Sequence, residues 1–281
     1  MRAYTKQDIT QLEAKAKIIR KHIIQMTNKA AAGHPGGSLS AADIVTALYF
    51  HVMQVDPENP KWADRDRFIL SKGHACPVWY AALAEKGYFS LSHLDTLRKH
   101  HSILQGHPDM KKTPGIDMTS GSLGQGLSAG VGMALAAKAK KQDYRVYVML
   151  GDGEIQEGPV WEAAMSAPAL GTDNLTAIVD YNHFQSCGAV EDILPLPQLR
   201  QRWESFGWNV VEINGHCMED VVCGLEIAAR FRGAPTCVIA HTVKGKGVSY
   251  MENNNAWHQG KPTDEQYATA VKELEVERVC L

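Results

Sequence analysis

The second half of the chain constrains the fold most, because from residue 144 onward short apolar runs alternate regularly with helical ones. The segments 144–150, 175–180, 208–213 and 236–241 are brief, apolar and rich in β-branched residues. Between them, 157–170, 197–206 and 218–231 have the length and period of helices. That order predicts an α/β fold, a doubly wound, mostly parallel sheet with helices on both faces. Ligands of such sheets gather at the carboxyl ends of the strands.

The first half reads less regularly. Thr5-Lys6-Gln7-Asp8 is a helix start, and Ile9, Leu12, Ala16, Ile19, Ile23 and Met26 follow at helical spacing. Gly33-His34-Pro35-Gly36-Gly37 reads as a loop that stops this helix, with a second helix over Ser40 to Met53. A short strand is expected at Arg67–Leu70 and a helix at Pro77–Lys86. The stretch 101–120, which holds His107, is poor in helix, and Gly121-Ser122-Leu123-Gly124-Gln125-Gly126 opens a helix rich in alanine and glycine. The expected organisation is a single domain, 1–281, with an N-terminal helical extension and a short C-terminal helix in TDEQYATAVKELEVE.

Charge and cysteine usage narrow the class. With 29 basic against 31 acidic side chains and no basic stripe, nucleic acid is an unsuitable partner. No apolar run approaches the roughly 18 residues of a membrane span, and the polar N-terminus is no signal peptide. The 6 cysteines are scattered without a CxxC pair, which speaks against a zinc site or a disulfide framework and for a cytoplasmic protein with reduced thiols.

The stretch VMLGDGEIQEG, residues 148–158, carries the first chemical signal. It sets Asp152 between Gly151 and Gly153 at a strand's carboxyl end, followed by Glu154 and Glu157. Alone, Gly-Asp-Gly equally suits a tight turn whose aspartate caps the next helix. The next strand ends IVDYNHFQ, so Asn182 projects from the neighbouring strand end. One carboxylate oxygen, one amide oxygen and a nearby backbone carbonyl form an all-oxygen half-shell. That set suits Mg²⁺ (or Ca²⁺) with phosphate oxygens completing the coordination. The glycines admit close approach of a phosphate, and a helix N-terminus favours the anion. Three Gly-His pairs (GHPGG, KGHA and GHPD) place His34, His74 and His107 in loops, each behind a residue that leaves room for the ring. His22, His51, His93, His100 and His101 read instead as surface or helix-face residues.

Gly-Asp-Gly followed by an asparagine at the next strand end resembles the thiamine diphosphate motif. The resemblance extends along nearly the whole chain: AAGHPGGSLSAADIV, DRDRFILSKGHA, LQGHPD, TSGSLGQGLSAGVGMA, GDGEIQEG, DYNHFQ and HTVKGKGVSYMENN are similar, in order and spacing, to blocks of the transketolase amino-terminal domain. SKGHACPVWYAAL and ENNNAWHQG resemble the split form, made as two polypeptides. Where the family reads Trp-His-Gly, this chain has Trp257-His258-Gln259-Gly260.

The resemblance implies the thiamine diphosphate-binding fold of the diphosphate-binding type. It implies that Asp152, Asn182 and the backbone oxygen of Phe184 ligate the metal, and that His34, His74, His107 and His258 line the substrate channel. Gly121, Leu123, Gly151, Gly153 and Lys244 would border the cofactor. Glu157 and Glu162, otherwise plain helix-surface charges, would sit where two cofactor sites meet. Lys244-Gly245-Lys246-Gly247 would close over the diphosphate, and it lacks the pattern of a nucleotide-binding P-loop. The implied activity is transfer of a two-carbon ketol unit from a ketose (phosphate) to an aldose (phosphate), with small sugars or sugar phosphates as substrates. The implied partner is a C-terminal transketolase subunit carrying the pyrimidine-binding and C-terminal domains, in an α2β2 assembly. Two rival readings stand: another thiamine diphosphate-dependent component (deoxyxylulose-phosphate-synthase-like or keto-acid dehydrogenase), and a non-catalytic assembly subunit that keeps only the fold.

Overall fold

The computed structural model describes residues 4–275. The strands, in chain order, are β1 (Arg67–Leu70), β2 (Val146–Gly151), β3 (Leu175–Tyr181), β4 (Phe184–Gln185), β5 (Gly188–Ala189), β6 (Asn209–Asn214) and β7 (Thr236–His241). Five of them form one parallel sheet in the order β1-β2-β3-β7-β6, and β4 and β5 pair as a small antiparallel hairpin. Parallel strands need long crossovers, and helices supply them on both faces. Phe68, Leu70, Tyr147, Met149 and Ile178 face one core. Ile69, Val146, Val148, Leu150, Ala177 and Val179 face the other. Burial on both faces is why these strands read as unbroken apolar runs rather than alternating ones.

The expected helix start is present. In α1 (Lys6–Ala30) the Thr5 hydroxyl accepts the Asp8 N–H, and the Asp8 carboxylate accepts the Thr5 N–H, closing a capping box. The next segment differs from expectation. Gly33–Gly37 is not a continuous loop, because α2 (Pro35–Ser40) begins at the proline, with α3 (Ala42–Ala47) and a π-helical turn, Leu48–Val52, after it. Proline presets the first helical φ. Of the two glycines, poor helix formers, Gly36 is required by packing: a Cβ there would lie 2.7 Å from the Trp257 carbonyl oxygen and 3.2 Å from the Lys244 stem. Helix α4 (Cys76–Lys86) lies where it was expected.

Helix α5 (Gln125–Lys140) explains its own composition. A Cβ on Gly130 would approach Val148 to 2.5 Å, so the small residues let the helix lie close on the sheet. The remaining helices are α6 (Gly158–Ala169), α7 (Val190–Ile193), α8 (Leu199–Ser205), α9 (Met218–Arg230) and α10 (Asp264–Glu275). Helix α10 is the expected terminal helix, and the last residues of TDEQYATAVKELEVE, 276–277, lie outside the described residues. Among the described residues no helix is long and apolar enough to cross a membrane.

Candidate active site

Register builds the floor of the site. Gly151 pairs with Asp180 across β2 and β3, so Asp152 and Asn182 leave the sheet at neighbouring strand ends. Asp152 is 1% exposed, and its carboxylate accepts the N–H groups of Gly153 (2.8 Å) and His183 (2.5 Å). Burial, then the neighbouring Asp180 charge, push its carboxyl up to about 7. Two N–H bonds do not offset that desolvation, and a cation would.

Asp180 anchors the floor from beneath. It is fully buried and accepts from Lys72 Nζ, Thr242 Oγ1, Ser40 Oγ (2.6 Å) and Asn182 Nδ2 (3.1 Å). Burial alone would raise its carboxyl, but the Lys72 ammonium and these hydrogen bonds outweigh it and hold the group below its ordinary value. Asn182 is thereby oriented, because its amide N–H₂ faces Asp180 and its Oδ1, on the other side, accepts the Phe184 N–H at 3.1 Å. Glu154 ties the surrounding loops together: buried, it accepts from the Gly151 N–H (2.9 Å), the Gly124 N–H (3.0 Å) and Ser71 Oγ (2.5 Å).

The wall is made of imidazoles. His34, His74 and His258 form a triangle with ring centroids 5.0, 5.2 and 5.4 Å apart. Burial first, then the charges around them, lower His34 and His258 to about 4, and burial takes His74 well below its ordinary value. His107 lies against Gly121, where a Cβ would meet its Cδ2 at 3.1 Å, and burial lowers it too. Gln259 is exposed, and the extra residue leaves His258 within the triangle. Lys244 joins wall to floor: Nζ lies 3.0 Å from His258 Nδ1, 2.8 Å from Asn255 Oδ1 and 5.7 Å from the Phe184 ring centre. Burial lowers its ammonium to about 8. The loop leading to Lys244 is held by His216, whose Nε2 accepts the Val243 N–H at 2.8 Å while Nδ1 faces Asp43.

Two expected residues stand apart from this cluster. Leu123 is 37% exposed, and Glu157 is exposed beside Gly124, at the start of α6. Sequence reasoning missed Lys72, Asp180, Ser40 and Thr242, and noted Glu154 without giving it a role. Lys72 lies beside the flagged His74 and Asp180 beside the flagged Asn182, but their partners are 108 positions apart, so no local spacing announces the pair.

Residues 12–277 match the family described as transketolase, thiamine diphosphate binding domain. The 6-deoxy-6-sulfo-D-fructose transketolase subunit of Clostridium sp. (strain MSTE9) is 47% identical over 95% of this chain and 97% of its own. An apulose-4-phosphate transketolase subunit from Phocaeicola vulgatus is 48% identical, over 94% and 93%. The crystal structure of transketolase from Campylobacter jejuni superposes with a TM-score of 0.90 at 33% identity, over 96% of this chain but 43% of that one. The chain thus spans less than half the length of single-chain transketolases and nearly all of the subunit relatives. It belongs to the transketolase family, as a member carrying the thiamine diphosphate-binding domain.

Proposed function

We propose that this chain is the thiamine diphosphate-binding subunit of a two-component transketolase, which moves a two-carbon ketol unit from a ketose to an aldose. Residues 1–281 act as one diphosphate-binding domain in the cytoplasm. The observation that carries the reading is the buried Asp152–Asn182 pair at adjoining strand ends with an ammonium, Lys244, between it and a histidine wall.

The residues present fit the cofactor and its metal. Asp152 is a buried carboxylate short of positive charge, Gln185 Oε1 is a buried oxygen without a partner, and Gly153 has no room for a side chain, since a Cβ would meet Gln185 Cβ at 2.6 Å. Asp152, Asn182 Oδ1 and the Phe184 carbonyl would hold Mg²⁺ or Ca²⁺, and Lys244 would face the diphosphate. Gly121, Leu123, Gly151 and Gly153 would border the cofactor, and Glu157 would approach the second site of an assembled pair. Thiamine diphosphate, when bound, supplies the nucleophilic carbon and the electron sink for the ketol transfer.

The chain's own residues handle the sugar. Imidazoles lowered toward 4 are neutral at physiological pH, so each offers one donor and one acceptor to sugar hydroxyls. Lys244 donates to His258 Nδ1, which leaves Nε2–H as that ring's donor. His34 Nδ1, buried and without a partner, is free to take a hydroxyl's hydrogen bond. His74 and His107 complete the channel, where a neutral ring accepts a hydrogen bond from one hydroxyl and donates one to another.

The partner is a C-terminal transketolase subunit with the pyrimidine-binding and C-terminal domains, joined as α2β2. The full-length match to proteins named as subunits, against a partial match to the single-chain enzyme, supports this division. Exposed Met165 and Leu170 give α6 and its end apolar surface for contact with another chain. The test is ketol transfer by the purified chain with Mg²⁺ and thiamine diphosphate, alone and with its companion subunit. Turnover is expected only from the pair. Turnover by the chain alone at the pair's rate would defeat the two-component reading.

A further inference from the structure

We infer that Asp43 and His216 are positioning residues for the anionic cofactor: through two basic side chains, one carboxylate holds both ends of the loop that presents Lys244. The inference rests on the thiamine diphosphate reading above. The loop is Val243-Lys244-Gly245-Lys246, which follows β7. Lys244 is 1% exposed, so its ammonium goes where the backbone of this loop sends it.

The buried Asp43 carboxylate is approached from two sides. Arg20 of α1 lays its fork on Asp43 of α3, with Nη1 2.9 Å from Oδ1 and Nη2 2.6 Å from Oδ2. The same guanidinium donates from Nε to the Lys246 carbonyl at 3.2 Å. On the other side His216 Nδ1 lies 2.8 Å from Asp43 Oδ2, and Nε2 accepts the Val243 N–H at 2.8 Å. Because Nε2 accepts, the ring's proton is on Nδ1 and donates to the carboxylate. Burial alone would raise the Asp43 carboxyl, but the Arg20 charge and the bonds from His216 and Arg20 outweigh it and hold the group well below its ordinary value. Asp43 is therefore a fixed anion that sets the tautomer of the ring beside it.

Glycines bring the clamp and the loop together. Gly215 precedes His216 in the turn after β6, and a Cβ there would meet Thr242 Cγ2 at 2.4 Å, so glycine lets this turn lie close on the loop. The His216 N–H is pinned in the same turn by Asn214 Oδ1 at 3.0 Å. At the loop's far end Gly247, φ 97°, packs on Arg20, where a Cβ would lie 3.2 Å from Cδ. The middle is tied as well, the Gly245 N–H donating to the Gly36 carbonyl at 3.0 Å. A carboxylate that only joined α1 to α3 would be served by Arg20. Here both basic partners also bond the loop backbone, on either side of Lys244.

The two imidazole nitrogens separate positioning from plain stability. In the assembled pair, His216→Asn keeps a donor at the place of Nδ1 for Asp43, but its amide is too short to reach Val243. His216→Gln puts an acceptor at the place of Nε2 and gives up the Asp43 contact. His216→Asn is expected to weaken Mg²⁺-dependent thiamine diphosphate binding about tenfold, the size of one lost hydrogen bond. Hydrogen exchange at the Val243 amide of the cofactor-free pair is expected to speed up by at least about the same factor. His216→Gln is expected to keep both within about threefold of wild type, while lowering the urea midpoint more than His216→Asn does. Affinity that is unchanged in both variants, or that follows the urea midpoint instead of the Val243 acceptor, would overturn the inference. So would fast exchange of the Val243 amide in wild type, a result that requires no variant to fold. If the wild-type pair binds no thiamine diphosphate, the function proposal fails by itself, and exchange at Val243 still decides on the clamp.

Discussion

The floor and the wall of the site are built on opposite principles. In the floor each carboxylate is hydrogen-bonded inside the protein, Asp180 by four donors, Glu154 by three and Asp152 by two, and Asp152 alone stays short of positive charge. In the wall the imidazoles meet one another through their rings, and His34 Nδ1 has no partner. A floor bonded from beneath keeps its geometry and leaves one carboxylate, Asp152, for a cation. An unsaturated wall keeps donors and acceptors for a bound group, the sugar in the function proposed above, at the cost of burying rings that then stay neutral. One region is organised to hold charge still, the other to exchange hydrogen bonds.

The largest expected break in this contrast is at Asp152. Asp152→Ala removes the carboxylate while leaving the β2–β3 register, the Lys72–Asp180 pair and the histidine triangle in place. Mg²⁺-dependent thiamine diphosphate binding by the assembled pair is expected to disappear, with the circular dichroism spectrum and the urea midpoint retained. Unchanged affinity in a folded variant would remove the metal assignment, and with it the idea that the floor is a charge holder.

Lys72→Met sharpens the same contrast from below. It strands the fully buried Asp180 carboxylate, which costs about 3–5 kcal/mol, readable as a lower urea midpoint of the assembled pair. Adding Asp180→Leu removes the stranded charge and is expected to recover most of that stability. Asn182 then has no carboxylate to orient its amide, so Mg²⁺-dependent cofactor binding is expected to stay at least about tenfold weaker, the size of loss that follows when a ligand's supporting hydrogen bond is removed. Full recovery of both stability and binding would show that the ion pair serves the core alone.

The sheet was legible in the sequence because its physics is local. Runs such as Val146–Leu150 and Leu175–Val179 are apolar on both faces, and the helices between them repeat with their own period. The floor was half legible: Asp152 and Asn182 are marked by glycines and by their place at strand ends. Lys72 and Asp180 carry no such mark, since a lysine after a strand reads as solvated until the fold brings its acid partner from 108 positions away. Helix α2 escaped because two glycines argue against a helix, while the reason for Gly36, the Trp257 carbonyl and Lys244, comes from the far end of the chain. The β4–β5 hairpin escaped because two-residue strands have no period to read. His258 was marked by Trp257-His258 despite Gln259, and the structure brings it to His34 and His74. His100 and His101 read as surface, which their exposure bears out.

The smallest effect tests the wall by pH. His258 titrates near 4 in the folded chain and near its ordinary 6.5 when unfolded, because burial and the adjacent Lys244 disfavour the imidazolium. Between those values the unfolded chain binds the extra proton, so stability is lost as pH falls from about 6.5 toward 4 and is full above that window. His34, also lowered to about 4, acts in the same direction, whereas Asp152, raised to about 7, acts in the opposite one over an overlapping range. Both remain in a His258→Asn variant, so comparison with wild type isolates one ring. The variant is expected to bind thiamine diphosphate within about twofold of wild type, because the role proposed for His258 lies on the sugar side. Its stability should fall less steeply with acid, by about one bound proton between pH 6.5 and 4. The measurement is urea unfolding of the cofactor-free chain at half-unit steps of pH. An identical pH dependence in the two proteins would mean that His258 ionises freely in the folded state, and the wall would then not be a neutral surface.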